Sequence, residues 1–150
     1  MQKNRDIRLI SLKEMRTLAE EIAHSLPTKG PYFIFLKGNL GTGKTTFTQF
    51  LLKALGYIGK VKSPTYSLIE PYYIGDRILY HIDLYRMNGA NELYFSGLLD
   101  HLKEEAFFVV EWPDLLAAFD IKPNLLLQLD LLQDGAREIR IIYNEFDLSK

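Results

Sequence analysis

A phosphate-binding loop is the sequence feature that most constrains the fold of this chain. Residues 38–46 read GNLGTGKTT and match the pattern G-x-x-x-x-G-K-[ST] at every fixed position. The apolar run at residues 32–36 predicts a strand leading into the loop, and residues 47–55 predict a helix leading out of it. Because the motif requires this strand–loop–helix setting, the sequence predicts a site for the phosphates of a nucleotide. The alternative is an ordinary glycine-rich turn.

Each position of the loop has a chemical reason. Glycines let the backbone curl so that its N–H groups converge on phosphate oxygens, and the helix N-terminus adds the positive end of its dipole. Lys44 is expected to reach the β- and γ-phosphates, and the Thr45 hydroxyl is expected to ligate Mg²⁺. The candidate nucleotide-binding residues of this segment are Asn39, Leu40, Gly41, Thr42, Gly43, Lys44, Thr45 and Thr46.

The composition is that of a globular protein. With 150 residues, of which 47% are hydrophobic and 25% charged, residues 1–150 are predicted to form a single domain. No apolar run approaches the roughly 18 residues of a membrane-spanning helix, and residues 1–6 lack the apolar segment of a signal peptide. The absence of cysteine excludes disulfides, thiolate zinc sites and cysteine nucleophiles. We therefore expect a cytoplasmic protein without a membrane partner.

Positive charge is concentrated around the loop. The net charge of −1 does not indicate a polyanion-binding protein as a whole. Five lysines and no acid lie between residues 37 and 62, which makes this segment suited to a nucleoside triphosphate. Lys53, Lys60 and Lys62 fit a solvated helix end and loop equally well, and the cluster is a weak indication of nucleic-acid binding.

The periodicity of the remaining chain predicts an α/β fold. Ser11 and Glu14 form a capping box before an amphipathic helix, and Pro71 favours an edge strand. We predict a P-loop nucleotide-binding fold, with a mainly parallel central sheet, helices on both faces and antiparallel strands at the edges. The predicted elements are a helix at 12–26, a hairpin at 66–73 and 77–83, short helices within 91–103, a strand at 106–110, a helical turn at 114–119, and strands at 124–132 and 137–143.

Two carboxylates follow predicted strands. Asp83 comes after residues 78–82, and Glu111 after the apolar residues 107–110. Ligands of open α/β sheets lie at the carboxyl ends of the strands, so both acids are candidates for holding a metal or positioning water. The alternative for Glu111 is a solvated acid at a strand exit, and the strand before Asp83 could belong only to the hairpin.

Thr65 lies in a loop after the phosphate-loop helix. In P-loop GTPases a mobile segment at this place in the chain senses the γ-phosphate and Mg²⁺. Thr65 is a candidate for that role, and it fits equally well as a turn residue whose hydroxyl caps a backbone N–H.

Four motifs occur in the order and spacing of the TsaE (YjeE) family, which the chain resembles from Ser11 to Arg137. They are the loop at residues 38–46, KSPTY at 62–66, HIDLYR at 81–86, and Glu111 with Trp112. That family consists of small bacterial P-loop ATPases required for threonylcarbamoyladenosine (t6A) modification of tRNA.

The resemblance implies roles for these residues. Residues 63–66 are expected to form a first switch loop and residues 83–86 a second. Trp112 would line the site and Arg137 would flank the adenine, while Met15 stands where the family usually has threonine. The implied metal ligands are Thr45, Glu111 and Asp83, and the implied catalytic residues are Lys44, Thr65, Asp83 and Glu111.

These features together predict that the chain binds ATP and ADP with Mg²⁺ and hydrolyses ATP slowly. By resemblance, its switch loops would couple that cycle to TsaB and TsaD, and tRNA would be engaged indirectly. A small-molecule kinase is an alternative, although no arginine lies in a lid-like insertion. A GTPase is disfavoured because Asn-Lys-x-Asp and Asp-x-x-Gly sequences are absent. A nucleotide-dependent binding module without meaningful turnover remains a third possibility.

Overall fold

The residues that this computed structural model describes, 2–9 and 11–144, contain one seven-stranded sheet. Its strands are β1 (Gln2–Leu9), β2 (Tyr32–Lys37), β3 (Ile69–Ile74), β4 (Arg77–Asp83), β5 (Phe107–Glu111), β6 (Leu125–Leu131) and β7 (Arg137–Asn144). Their order across the sheet is β1-β7-β6-β2-β5-β4-β3. The four central strands are parallel to one another, and the pairs β1–β7, β7–β6 and β4–β3 are antiparallel. The predicted α/β class with a parallel centre and antiparallel edges is confirmed.

Helices cover both faces of the sheet. They are α1 (Leu12–Ser25), α2 (Lys44–Ala54), α3 (Ala90–Phe95), α4 (Leu98–His101) and a 3₁₀ helix (Pro113–Phe119). Alternate residues of a strand point to opposite faces. Val109 of β5 packs in the same buried cluster as residues of α1 and α2, whereas its neighbours Phe108 and Val110 pack with α3, α4 and the 3₁₀ helix.

Strand β5 positions the carboxyl edge of the sheet. It lies between the parallel strands β2 and β4, and all five of its residues are buried because helices cover both faces of the sheet. Its last residue, Glu111, is in register with Leu36 on one side and with Asp83 on the other. Strand β4 pairs with β3 as a hairpin and also with β5, so Asp83 reaches the same edge of the sheet as the phosphate loop.

The structure departs from the predicted elements at several places. Strand β1 was not predicted, because its polar sequence shows little alternation, yet it pairs with β7 along residues 2–9. The first arm of the hairpin begins at Ile69 instead of residue 66, since Leu68 has a φ of 73° and its N–H donates to the Pro64 carbonyl at 2.8 Å. The helical region predicted at 91–103 is divided in two at Gly97, which has a φ of 84°.

The capping box and the edge position of Pro71 are as predicted. The Ser11 hydroxyl accepts a hydrogen bond from the Glu14 N–H at 3.2 Å, and β3, which contains Pro71, is the last strand of the sheet. Within the described ranges, no helix has both the length and the apolar composition needed to cross a bilayer.

Candidate nucleotide-binding site

The loop between β2 and α2 has the backbone geometry that its glycines allow. Gly38, Gly41 and Gly43 have φ values of 151°, 81° and 107°, all of them unfavourable for other residues. The loop also lies against strand β6, because a Cβ atom at Gly38 would be 2.4 Å from the Leu129 carbonyl oxygen. Gly43 is the N-cap of α2 and offers no side-chain hydrogen bond, so no side chain caps the first N–H groups of this helix.

A cleft of about 390 Å³ opens over this helix end. Its volume is in the range of small-molecule sites, which is roughly 300–1,000 Å³. It is lined by Leu40, Gly41, Thr42, Gly43, Lys44, Thr45, Thr46, Thr65, Asp83, Tyr85, Arg86, Glu111, Trp112 and Arg137. The structure thus brings together every predicted site residue except Asn39. Asn39 lines an adjacent groove, and its carbonyl accepts hydrogen bonds from the Thr42 N–H and hydroxyl.

Lys44 points back onto its own loop. Its Nζ donates to the carbonyls of Gly38 and Asn39, and it lies 4.1 Å from the centre of the Trp112 ring. The side chain is only 5% exposed, and burial lowers the pKa of Lys44 while Glu111 and Asp83 oppose that shift. The ammonium group is therefore held by neutral acceptors and an aromatic face, contacts that phosphate oxygens could replace.

Hydrogen bonds join Thr45 and Glu111, which line the cleft, to the buried His81. The Thr45 hydroxyl donates to Glu111 Oε2 at 3.0 Å, and His81 Nε2 lies 2.6 Å from the same oxygen. Glu111 is 3% exposed and His81 fully buried. Since the Thr45 proton is directed to Glu111, the lone pairs of its oxygen remain for a cation.

Asp83 links the two segments that were expected to be switch loops. The Thr65 hydroxyl donates to Asp83 Oδ2 at 3.3 Å and lies 2.8 Å from the Ser63 hydroxyl. The other Asp83 oxygen accepts from the Tyr85 N–H at 2.9 Å. Asp83 is therefore bonded to residues of both segments.

Aromatic and basic side chains form the rim of the cleft. The ring of Trp112 lies 4.8 Å from that of Tyr85, and the Arg86 guanidinium lies 4.1 Å above the ring of Tyr66. On the opposite side, Arg137 Nε donates to the Thr42 carbonyl at 3.0 Å. This contact ties the start of β7 to the phosphate loop.

The arrangement fits Mg²⁺ held together with phosphate better than an all-protein metal site. Among residues 2–9 and 11–144, no group of three or more histidine, cysteine, aspartate or glutamate residues could hold a metal ion. Thr45, Glu111 and Asp83 offer oxygen atoms only. Mg²⁺ prefers such ligands and is commonly bound through one or two carboxylates plus the phosphates of its substrate.

Sequence reasoning did not identify His81 as a site residue, and it gave Tyr85 and Arg86 only as part of the expected second switch loop. The signal for His81 was its spacing from Asp83, because residues two apart on a strand point to the same face. Tyr85 and Arg86 lie just after the end of β4, in a turn of the chain that brings them to the cleft.

Comparison with known proteins shows wide similarity. The family model described as "Threonylcarbamoyl adenosine biosynthesis protein TsaE" matches residues 9–140. A tRNA threonylcarbamoyladenosine biosynthesis protein TsaE from Haemophilus influenzae is 38% identical over 122 residues, which cover 81% of this chain and 77% of the relative. The TsaE protein of Aquifex aeolicus is 36% identical over 143 residues, covering 94% of this chain and 98% of the relative. The crystal structure of YdiB from Bacillus subtilis matches with a TM-score of 0.74 and 29% identity, over 95% of this chain and 87% of that one.

Proposed function

This chain belongs to the TsaE family of tRNA threonylcarbamoyladenosine biosynthesis proteins, and we propose that it serves t6A modification as a MgATP-binding, slowly hydrolysing P-loop ATPase. In this proposal it works through a nucleotide-dependent complex with TsaB and TsaD in the cytoplasm, and it meets tRNA only through them. The observation that carries the proposal is the position of Lys44 and the Thr45–Glu111 pair beside the N-terminus of α2.

The first turn of α2 and the loop before it are suited to phosphate. The N–H groups of this turn have no side-chain cap, and the helix dipole favours an anion here. Lys44 would exchange the carbonyls of Gly38 and Asn39 for phosphate oxygens. The exchange is favourable because the ammonium group would then pair with a negatively charged acceptor instead of a neutral carbonyl.

Thr45 and Glu111 would hold the metal at this helix end. Mg²⁺, when bound, would supply positive charge that neutralises the negative charge developing on the phosphate during transfer. Glu111 accepts a hydrogen bond from the Thr45 hydroxyl and would thereby direct the lone pairs of that hydroxyl to the cation. Asp83, in register with Glu111 on the next strand, would act at the γ-phosphate side.

The Thr65–Asp83 hydrogen bond would connect nucleotide state to partner binding. This hydrogen bond is long, at 3.3 Å, and only partly buried. Contacts to the γ-phosphate would therefore replace it at little cost. Residues 63–66 and 83–86 would then differ between the ATP and ADP forms. A partner that contacts Tyr66 and Tyr85, which are 84% and 51% exposed, would bind the two forms with different affinity.

The test compares Lys44→Ala with Lys53→Ala in the presence of TsaB and TsaD. Both variants remove a lysine from α2, but Lys53 is exposed in its last turn and lies outside the cleft. We expect Lys44→Ala to lose ATP turnover and Lys53→Ala to keep it. Equal turnover by wild type and Lys44→Ala would contradict the ATPase. If the wild type bound ATP without hydrolysing it, the result would favour the nucleotide-dependent binding module. If the wild type transferred phosphate from ATP to a small molecule, the result would favour the kinase.

Glu111→Gln tests the metal assignment separately. The amide keeps the size of the side chain but removes its charge, so we expect a weaker dependence of nucleotide binding on Mg²⁺ with the fold retained. An unchanged dependence would remove Glu111 from the metal site.

A further inference from the structure

A buried histidine contacts Glu111 beneath the candidate site. His81 lies on β4 two residues before Asp83, is fully buried, and has its Nε2 2.6 Å from Glu111 Oε2. We propose that His81 is a positioning residue that holds Glu111 and, through it, orients the Thr45 hydroxyl toward Mg²⁺. The inference rests on the proposed MgATP site and adds a residue to it.

The surroundings of the imidazole determine which nitrogen carries the proton. Among the described residues, Nδ1 of His81 is the buried side-chain atom that lacks a hydrogen-bond partner. A buried N–H group without an acceptor costs free energy, on the order of 1–3 kcal/mol. The proton therefore belongs on Nε2, where the carboxylate accepts it, and Nδ1 carries only a lone pair. In this tautomer His81 can only donate to Glu111.

Two donors meet at one oxygen of Glu111. His81 and Thr45 both donate to Oε2, and their bonds arrive from β4 and from the first turn of α2. The oxygen is thus fixed between two rigid elements. Because it accepts from Thr45, the O–H bond of Thr45 points to Glu111 and away from the cleft. Loss of His81 would leave a nearly buried carboxylate with one donor fewer and free to turn. The Thr45 lone pairs would then no longer be held toward the cation.

Residues that orient metal ligands typically contribute 10–100-fold to metal affinity or activity. His81→Phe removes both nitrogens and keeps a ring, whereas His81→Gln retains an amide donor near the position of Nε2. The control is His101→Phe, which removes the other described histidine–glutamate pair. His101 Nδ1 lies 2.7 Å from Glu104 Oε2, but both side chains are more than a third exposed and neither lines the cleft.

The measurement is the affinity for ADP by calorimetry, with Mg²⁺ and with EDTA. Mg²⁺ is expected to increase the affinity of the wild-type protein for ADP. In His81→Phe we expect this increase to be smaller by about tenfold or more, while the affinity for ADP in EDTA stays within about twofold of wild type. His81→Gln should recover most of the gain, and His101→Phe should match wild type. A folded His81→Phe with an undiminished gain would overturn the inference and leave the proposed function standing. A wild-type protein with no gain from Mg²⁺ would remove the metal site itself.

Nitrogen NMR of the wild-type imidazole provides a test that needs no variant. We expect a proton on Nε2, hydrogen-bonded to Glu111, and no proton on Nδ1. Observation of the Nδ1–H tautomer would overturn the inference even if His81→Phe does not fold.

Discussion

Thr45→Val tests whether the Thr45 hydroxyl both stabilises the fold and serves the proposed metal site. The substitution keeps the shape of the side chain but removes the donor to Glu111 Oε2. A hydrogen bond to a charged group contributes about 1.5–3 kcal/mol. Since Thr45 is half-buried and Glu111 keeps His81, we expect a loss of about 1.5 kcal/mol. In a domain of this size that lowers Tm by about 3–6 °C.

Thr48→Val is the matched control one turn later. Thr48 is fully buried, and its hydroxyl donates at 3.1 Å to the Lys44 carbonyl, which is uncharged. The net value of such a bond is about 0.5–1.5 kcal/mol, and the added methyl group offsets it by about 0.8 kcal/mol. Thr48→Val should therefore change stability by less than about 1 kcal/mol.

The assay is thermal unfolding in EDTA, in ADP with EDTA, and in ADP with Mg²⁺. A ligand at 100 times its Kd stabilises by about 2.7 kcal/mol. A tenfold loss of affinity removes about 1.4 kcal/mol of that gain. We expect Thr45→Val to lose this part only in the presence of Mg²⁺, and Thr48→Val to lose none of it. If both valine variants kept the full Mg²⁺-dependent rise in Tm, Thr45 would not be a ligand.

Three further predictions follow from the loop and the core. Gly38→Ala would place a methyl group 2.4 Å from a backbone carbonyl oxygen, so nucleotide binding should be lost. The added methyl group of Gly41→Ala meets nothing within 4 Å. This variant should lose only about 1–2 kcal/mol of stability in thermal unfolding, because its φ is left-handed. Burial and a hydrogen bond to a glutamate raise the pKa of Tyr80 from 10.0 to about 12. The unfolded chain therefore releases this proton first, and stability should fall as pH rises between these values, less so in Tyr80→Phe when followed by urea unfolding. Trp112 is the chain's single tryptophan, and the centre of its ring lies 4.1 Å from the Lys44 ammonium. Adding nucleotide should therefore change the tryptophan fluorescence of the wild type but not of Lys44→Ala. An equal response in both proteins would contradict the proposed exchange of Lys44 contacts.

The candidate site could be predicted largely where its residues are close in the chain. The phosphate loop is a continuous segment, and its pattern of glycines, lysine and threonine predicts what each residue does. The apolar residues on either side predict the strand before the loop and the helix after it. Glu111 follows the continuous apolar run at residues 106–110, which indicates a buried parallel strand and therefore a residue at the carboxyl edge.

Predictions failed where pairing across the sheet decides the structure. The polar segment at residues 2–9 becomes a strand because β7 offers it an open edge, and no local pattern reports that edge. The start of the hairpin at Ile69 depends on a hydrogen bond from Leu68 to Pro64, and this turn leaves Thr65 close to Asp83.

By itself, the sequence determined a glycine-rich loop that leads from a strand into a helix and is suited to phosphate, and two carboxylates that follow buried strands. Only the tertiary structure decided that His81 lies beneath Glu111, because these residues are 30 positions apart and meet through the register of β4 with β5. Local patterns depend on the chemistry of neighbours in the chain. The contacts that would orient a metal ligand depend on how separate strands align, which is set by the packing of the whole sheet.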